Sequence, residues 1–131
     1  QDRATIVRRL DALEERAFLT REERAAIDVE MLVRFYASDF VQRVTARAKT
    51  IEHEVSFTMR MDDIMVDGQI DLFFETDEGY EIVDFKTDRA MHAARYREQL
   101  ALYAQALSAA RGKPVTHRWL YWLRFAKAEE V

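Results

Sequence analysis

Asp71, Asp84 and Lys86 stand where uncharged side chains would cost less, because Asp71 interrupts the apolar run from Ile70 to Phe74 and Asp84 the run from Ile82 to Phe85. A carboxylate in such a run carries a desolvation cost unless something pairs with it. The turn-forming stretch Thr76-Asp77-Glu78-Gly79 between the runs makes them two arms of a hairpin. With those four residues as the connection, Glu75 faces Tyr80, and the same register sets Asp71 directly opposite Asp84. Directly opposed residues have Cβ atoms about 4.5–5.5 Å apart, and like charges there destabilise a sheet. A divalent cation offsets that repulsion, since Mg²⁺ prefers oxygen ligands and is held by one or two carboxylates with substrate phosphate and water. Lys86, two residues beyond Asp84, shares its face by strand alternation. Two acids and one base around a hard cation suit phosphodiester hydrolysis, in which the metal activates water and clamps the phosphate while lysine orients the water or offsets charge. Everything turns on register, because a loop one residue longer or shorter turns Asp71 to the opposite face. Taken alone, two aspartates and a lysine in a hairpin are more often a solvated surface than a site. The apolar surroundings shift that balance.

The elements that must position these groups follow from periodicity. From Arg3 to Arg47 the pattern is helical: Ile6, Leu10, Leu13 and Ala17 recur at helical spacing, and Thr20 with Glu23 forms a capping box. A further helix runs through Met31, Leu32, Phe35 and Tyr36, and Ser38 caps a short one carrying Phe40, Val41 and Val44. The period changes at Ile51, where Val55, Phe57, Met59 and Met61 alternate with Glu54, Ser56, Thr58 and Arg60. Strands follow from about Ile64 to Glu75 and from Tyr80 to Thr87, then a helix from His92 to Arg111 closed by Gly112 and Pro114, then a strand from Val115 to Phe125. The order α-β-β-β-α-β predicts an α/β fold with a mixed sheet and a right-handed crossover.

GQIDLFF (68–74), EIVDFKTD (81–88) and YREQLALYAQAL (96–107), preceded by FLTREERAAID (18–28) and EVSFTM (54–59), together resemble the PD-(D/E)XK nucleases. Among them the likeness is to the C-terminal nuclease domains of the AddA type of helicase-nuclease, related to exonuclease V and RecB-like. Gly-x-x-Asp, Asp-x-Lys and Gln-x-x-x-Tyr in this order make a more specific signal than any one of them. The resemblance implies a restriction-endonuclease-like core, N-terminal helices followed by a β-β-β-α-β mixed sheet. It implies Asp71, Asp84 and the backbone carbonyl of Phe85 as ligands of Mg²⁺ or Mn²⁺, Lys86 as the catalytic lysine, and Gln99 and Tyr103 as a supporting motif on one helix face. Tyr103 also reads as a core aromatic beside Tyr96, Leu100 and Leu107. Glu54 matches the family's glutamate ahead of a strand phenylalanine, and either reaches the site or faces solvent from the polar side of its strand. Gly68 is expected to let another backbone or the substrate approach.

The family also carries a metal-binding histidine on a helix ahead of the segment matched by Leu19-Thr20, a position that His53, His92 and His117 do not occupy; each reads as structural or exposed. The chain is accordingly expected to be a single domain over residues 1–131, N-terminally truncated from a longer helicase-nuclease that resects broken DNA ends for recombination with a second subunit. No G-x-x-x-x-G-K-[ST] loop is present, so any ATP-driven motor lies outside this sequence. The absence of cysteine excludes a disulfide framework, an iron-sulfur cluster and a thiolate zinc site in this chain and fits a reducing cytoplasm. No window approaches the roughly 18 apolar residues of a membrane span, so a soluble protein is expected. A net charge of −4 supplies no global field for a polyanion, although a bound cation would neutralise part of it. Two alternatives stay open: a catalytically incomplete module that binds DNA through Arg89, Arg95 and Arg97 or holds a partner protein, and a structural domain whose carboxylates are incidental.

Overall fold

Helical spacing in the first third of the chain yields α1 (Arg3–Glu15), α2 (Val29–Tyr36) and α3 (Asp39–Arg47). They come from a computed structural model that describes residues 3–15, 29–61 and 63–131; the expected capping box at Thr20 and Glu23 falls outside them. Ser38 caps α3 as expected: its backbone is extended, with φ −74° and ψ 158°, and its Oγ accepts the Val41 N–H at 3.3 Å. Asp39 adds a negative charge to the first turn, where the helix dipole favours it.

The sheet contains β1 (Thr50–Met61), β2 (Ile64–Thr76), β3 (Gly79–Lys86), β4 (Val115–Trp122) and β5 (Lys127–Glu130), side by side in chain order. Only the β3–β4 pair is parallel, and the chain makes that crossover through α4 (Arg97–Arg111). The helix expected from His92 starts as a 3₁₀ turn at Ala93–Tyr96 and becomes α-helical at Arg97, a common way for a helix to begin. It ends as the sequence predicts, with Gly112 left-handed at φ 74° and its N–H bonded to the Ser108 carbonyl at 2.9 Å.

The hydrophobic run predicts a last strand reaching Phe125, but β4 stops at Trp122 and the chain turns through residues 123–126 into β5, which pairs back antiparallel. No glycine or proline marks this turn; Ala126 takes the left-handed conformation instead, at φ 53°. The apolar run continues across it because Leu123 is buried in the core, so hydrophobicity there reports burial and not direction.

Two apolar layers flank the sheet. On one face Phe35 of α2 meets the rings of Phe40, Phe85 and Tyr121 at 6.3, 4.7 and 4.6 Å, with Ile6 of α1, Val44 of α3, Leu72, Phe74 and Val83 filling the same cluster. On the other, α4 sets Leu100 and Leu107 onto Phe73, Ile82, Leu120 and Trp122. A buried charge clamps the first layer: Glu81 of β3, 1% exposed, accepts from Arg47 of α3 at 2.5 Å and from Trp119 Nε1 at 2.9 Å. Among the described residues no helix is long and apolar enough to cross a membrane.

Candidate active site

Glu75 pairs with Tyr80, the register expected from the hairpin residues. The connection is tighter than the expected four residues, since Thr76 pairs with Gly79 and leaves only Asp77 and Glu78 in the loop. Gly79 is needed there: at φ 146° a Cβ would fall 2.3 Å from the Pro114 carbonyl oxygen.

The β2–β3 ladder ends at Leu72–Val83, one rung before Asp71 and Asp84 would meet. Beyond it the Phe85 N–H donates to the Asp71 carboxylate at 2.8 Å, so a side chain holds the strands where backbone pairing has stopped. The β1–β2 ladder also omits a single rung, the one at which Glu54 would face Asp71, and resumes in the same register at Val55–Ile70. Glu54 has φ 56°, a left-handed conformation uncommon outside glycine. Glu54, Asp71 and Asp84 therefore occupy the row at which both ladders open.

This kink corrects the expected alternation along β1. Glu52 is bound by Arg111 of α4, while His53 lies beside Tyr36 of α2. Past Glu54, however, Val55 and Phe57 both join the cluster under α4, so the two-residue period does not carry across it.

Asp84 and Lys86 face the α4 layer, as their spacing predicts. Lys86 Nζ lies 2.8 Å from Asp84 Oδ2 and donates to Gln99 Oε1 at 3.0 Å. Gln99 Nε2 in turn donates to the Tyr103 hydroxyl at 3.0 Å. Asp84 is 5% exposed, and its Oδ2 makes an ion pair with Lys86 without a directed hydrogen bond. Burial raises the Asp71 carboxyl well above the usual range, and the neighbouring Asp84 charge raises it further. Burial likewise raises the Tyr103 phenol, followed by the charges of Asp84 and Asp71.

Tyr103 satisfies both of its expected readings. It belongs to the Lys86–Gln99 chain, and it packs edge-on against Phe57 with ring centres 5.2 Å apart. That packing also explains Gly68, which accommodates neither backbone nor substrate: an added Cβ would meet Phe57 Cζ at 2.5 Å and Tyr103 Cε1 at 3.0 Å. Gly68→Val is expected to lower stability by about 1–3 kcal/mol through overpacking. Denaturant midpoints check this, and Phe57→Leu in the same chain should recover part of the loss.

Two adjoining carboxylates, one with a buried oxygen lacking a directed hydrogen bond, fit a hard divalent cation. Phe85 brings its backbone to the same place through its bond to Asp71. The histidines stand apart: His53 beside Tyr36, His92 exposed, and His117 paired through Nδ1 with Glu130. Among the described residues no cluster of three or more His, Cys, Asp or Glu side chains suits a metal ion. Arg89, Arg95 and Arg97 are exposed around the start of α4, with Arg95 3.9 Å from Asp88.

Sequence reasoning missed what covers Lys86. Tyr96, which reads as a core aromatic, has its ring centre 4.0 Å from the ammonium, and its hydroxyl donates to Asp88 at 2.6 Å. The available signal was its position three residues before Gln99, which shares a helix face with it.

A model of the PD-(D/E)XK nuclease superfamily matches residues 1–130. Among curated proteins, the chain is 34% identical to an ATP-dependent helicase/nuclease of Lacticaseibacillus casei over 75% of its own length. It is also 34% identical, over 79% of its length, to ATP-dependent helicase/nucleases of the same name from Bacillus thuringiensis and Bacillus anthracis. The alignments cover 9–10% of those relatives, so the chain spans about a tenth of their length. The open rung that brings Asp71 to Asp84, the lysine beside them and the match across almost every residue lead to one assignment: the chain belongs to the PD-(D/E)XK nuclease superfamily.

Proposed function

We propose that this chain is a single metal-dependent deoxyribonuclease domain of a longer ATP-dependent helicase-nuclease. The observation that carries the proposal is the meeting of Asp71, Asp84 and Lys86 on one face where the β2–β3 ladder stops. Its substrate in this reading is single-stranded DNA delivered by a motor elsewhere in the protein, in complex with a second subunit. The biological setting is resection of double-strand breaks for recombinational repair in the cytoplasm.

Asp71, Asp84 and the Phe85 carbonyl would hold Mg²⁺ or Mn²⁺. Bound there, the ion supplies charge neutralisation at the scissile phosphate and makes a water molecule more acidic. Lys86 holds an ammonium next to that position and directs its hydrogen bonds to the attacking water or a phosphate oxygen. Gln99 keeps Lys86 in place and is itself oriented by Tyr103. Glu54 sets the opening of the ladder from the other side.

Cleavage of an end-labelled single-stranded oligonucleotide with Mg²⁺ or Mn²⁺ tests the proposal, beside EDTA and Lys86→Ala lanes. Metal-dependent cleavage by the wild type, reduced about 10²-fold or more by Lys86→Ala, is the expected result. Cleavage that persists in EDTA, or is indifferent to Lys86, would overturn it. The pairing of only two carboxylates, without a third ligand among the described residues, favours one second reading: a module that binds DNA without cutting it. That reading predicts binding that weakens steeply with salt and no product in any lane.

A further inference from the structure

The ammonium of Lys86 is boxed in by more than its two oxygen partners. Its side chain is 15% exposed, and the Tyr96 ring closes the remaining approach at 4.0 Å from Nζ to the ring centre. Tyr96 is itself held. Its hydroxyl donates to Asp88 Oδ2 at 2.6 Å, its ring sits 6.1 Å from Trp122, and the Arg95 guanidinium carbon lies 5.8 Å from the ring centre. Asp88 follows Lys86 by two residues and Tyr96 sits at the junction of the 3₁₀ turn with α4, so one short segment both carries the lysine and folds back over it.

From this arrangement we infer that Tyr96, anchored by Asp88, is a positioning residue for Lys86. The inference rests on the nuclease reading above and deepens it. An ammonium has three N–H bonds. Asp84 and Gln99 face two of its directions, and the electron-rich face of Tyr96 holds the cation from a third. When Asp84 turns its oxygen to a metal, Lys86 loses part of that partner, and Gln99 with Tyr96 keeps the ammonium beside the reacting phosphate. Donation from the phenol to a carboxylate enriches the ring and strengthens its hold on a cation. Burial and that hydrogen bond push the Tyr96 phenol up to about 12, so the hydroxyl stays a donor at neutral pH.

Two measurements test this, one of them independent of cleavage. In the metal-free protein, reductive methylation with formaldehyde and a borane, read by mass spectrometry, gives the reactivity of Lys86 against Lys49 and Lys127 in the same molecule. Tyr96→Leu should raise Lys86 reactivity about tenfold, as expected for loss of a cation–π contact, and leave the other two lysines unchanged. Tyr96→Phe, which keeps the ring but loses the bond to Asp88, should fall between. In cleavage under single-turnover conditions, Tyr96→Leu should lower the maximal rate about 10–30-fold with little change in the DNA concentration giving half that rate. Tyr96→Phe should recover most of it. In a Lys86→Ala background Tyr96→Leu should add almost nothing, because it acts through the lysine.

Equal Lys86 reactivity in the wild type and Tyr96→Leu overturns the inference whether or not the protein cleaves DNA. An undiminished Tyr96→Leu effect in the Lys86→Ala background overturns it as well, since Tyr96 would then act elsewhere. If the wild type does not cleave, the nuclease proposal fails, and the methylation experiment still decides the contact.

Discussion

Asp84→Asn is expected to lower metal-dependent cleavage by on the order of 10³-fold while making the metal-free protein more stable. Asp71, Asp84 and Lys86 together carry two negative charges and one positive charge in a largely buried place. Replacing one acid with its neutral isostere leaves a balanced pair, and the amide can still accept from Lys86. The direction of the Asp71 shift fixes the pH dependence. Its carboxyl is raised in the folded protein, first by burial and then by Asp84, so the folded state holds a proton that the unfolded state releases. Metal-free stability therefore falls as pH rises from the ordinary carboxylate range through the raised value. The stability gained by Asp84→Asn should accordingly be larger at pH 8 than at pH 5. Thermal melts of both proteins in EDTA at the two pH values, alongside the cleavage assay, check the prediction. A metal-free variant less stable than the wild type at pH 8 would show that the carboxylates are not in conflict.

Arg47→Ala is expected to destabilise the fold by about 3–5 kcal/mol, although Arg47 looks like an ordinary surface residue. Its side chain is 45% exposed, whereas that of its partner Glu81 is 2% exposed, inside the layer under α2 and α3. Removing the arginine strands a carboxylate that only Trp119 Nε1 continues to satisfy. It also removes a guanidinium lying 5.8 Å from the centre of the Phe74 ring. Glu81→Gln should cost less, because the amide oxygen can still accept while no charge is left buried. In the Glu81→Gln background, Arg47→Ala should then lose most of its effect. Chemical denaturation of the four proteins gives the coupling directly. If Arg47→Ala costs under about 1 kcal/mol, as a surface ion pair would, the clamp on β3 is not what holds α3 to the sheet.

How much of this was legible in the residues depends on the range of the forces involved. Ser38, Gly112 and the Thr76–Gly79 stretch act over a few positions, so the α3 cap, the end of α4 and the hairpin register could be read from neighbouring residues. The Asp71–Asp84 juxtaposition follows from that register, and Lys86 from strand alternation, which is why the chemical centre was accessible before any fold. The four-residue loop was not wrong in register, only in where pairing stopped, because Thr76 and Gly79 were close enough to pair.

By itself, then, the sequence determined the alternation of helices and strands, the family likeness and which three charged groups share a face. Tertiary structure decided the rest. The left-handed turn at Glu54 carries no glycine to announce it, and its effect is to open the ladder beside Asp71. The reversal at Ala126 is equally unmarked, so β5 became visible only as a strand lying along β4. Gly68 owes its place to the rings of Phe57 and Tyr103, which come from two other elements. Tyr96 shows the same limit: helical spacing could set it on the face with Gln99, but only the packing of α4 against the sheet brings its ring over Lys86. Local sequence fixes backbone preference and periodicity, whereas the contacts that orient a reactive group depend on how separate elements meet.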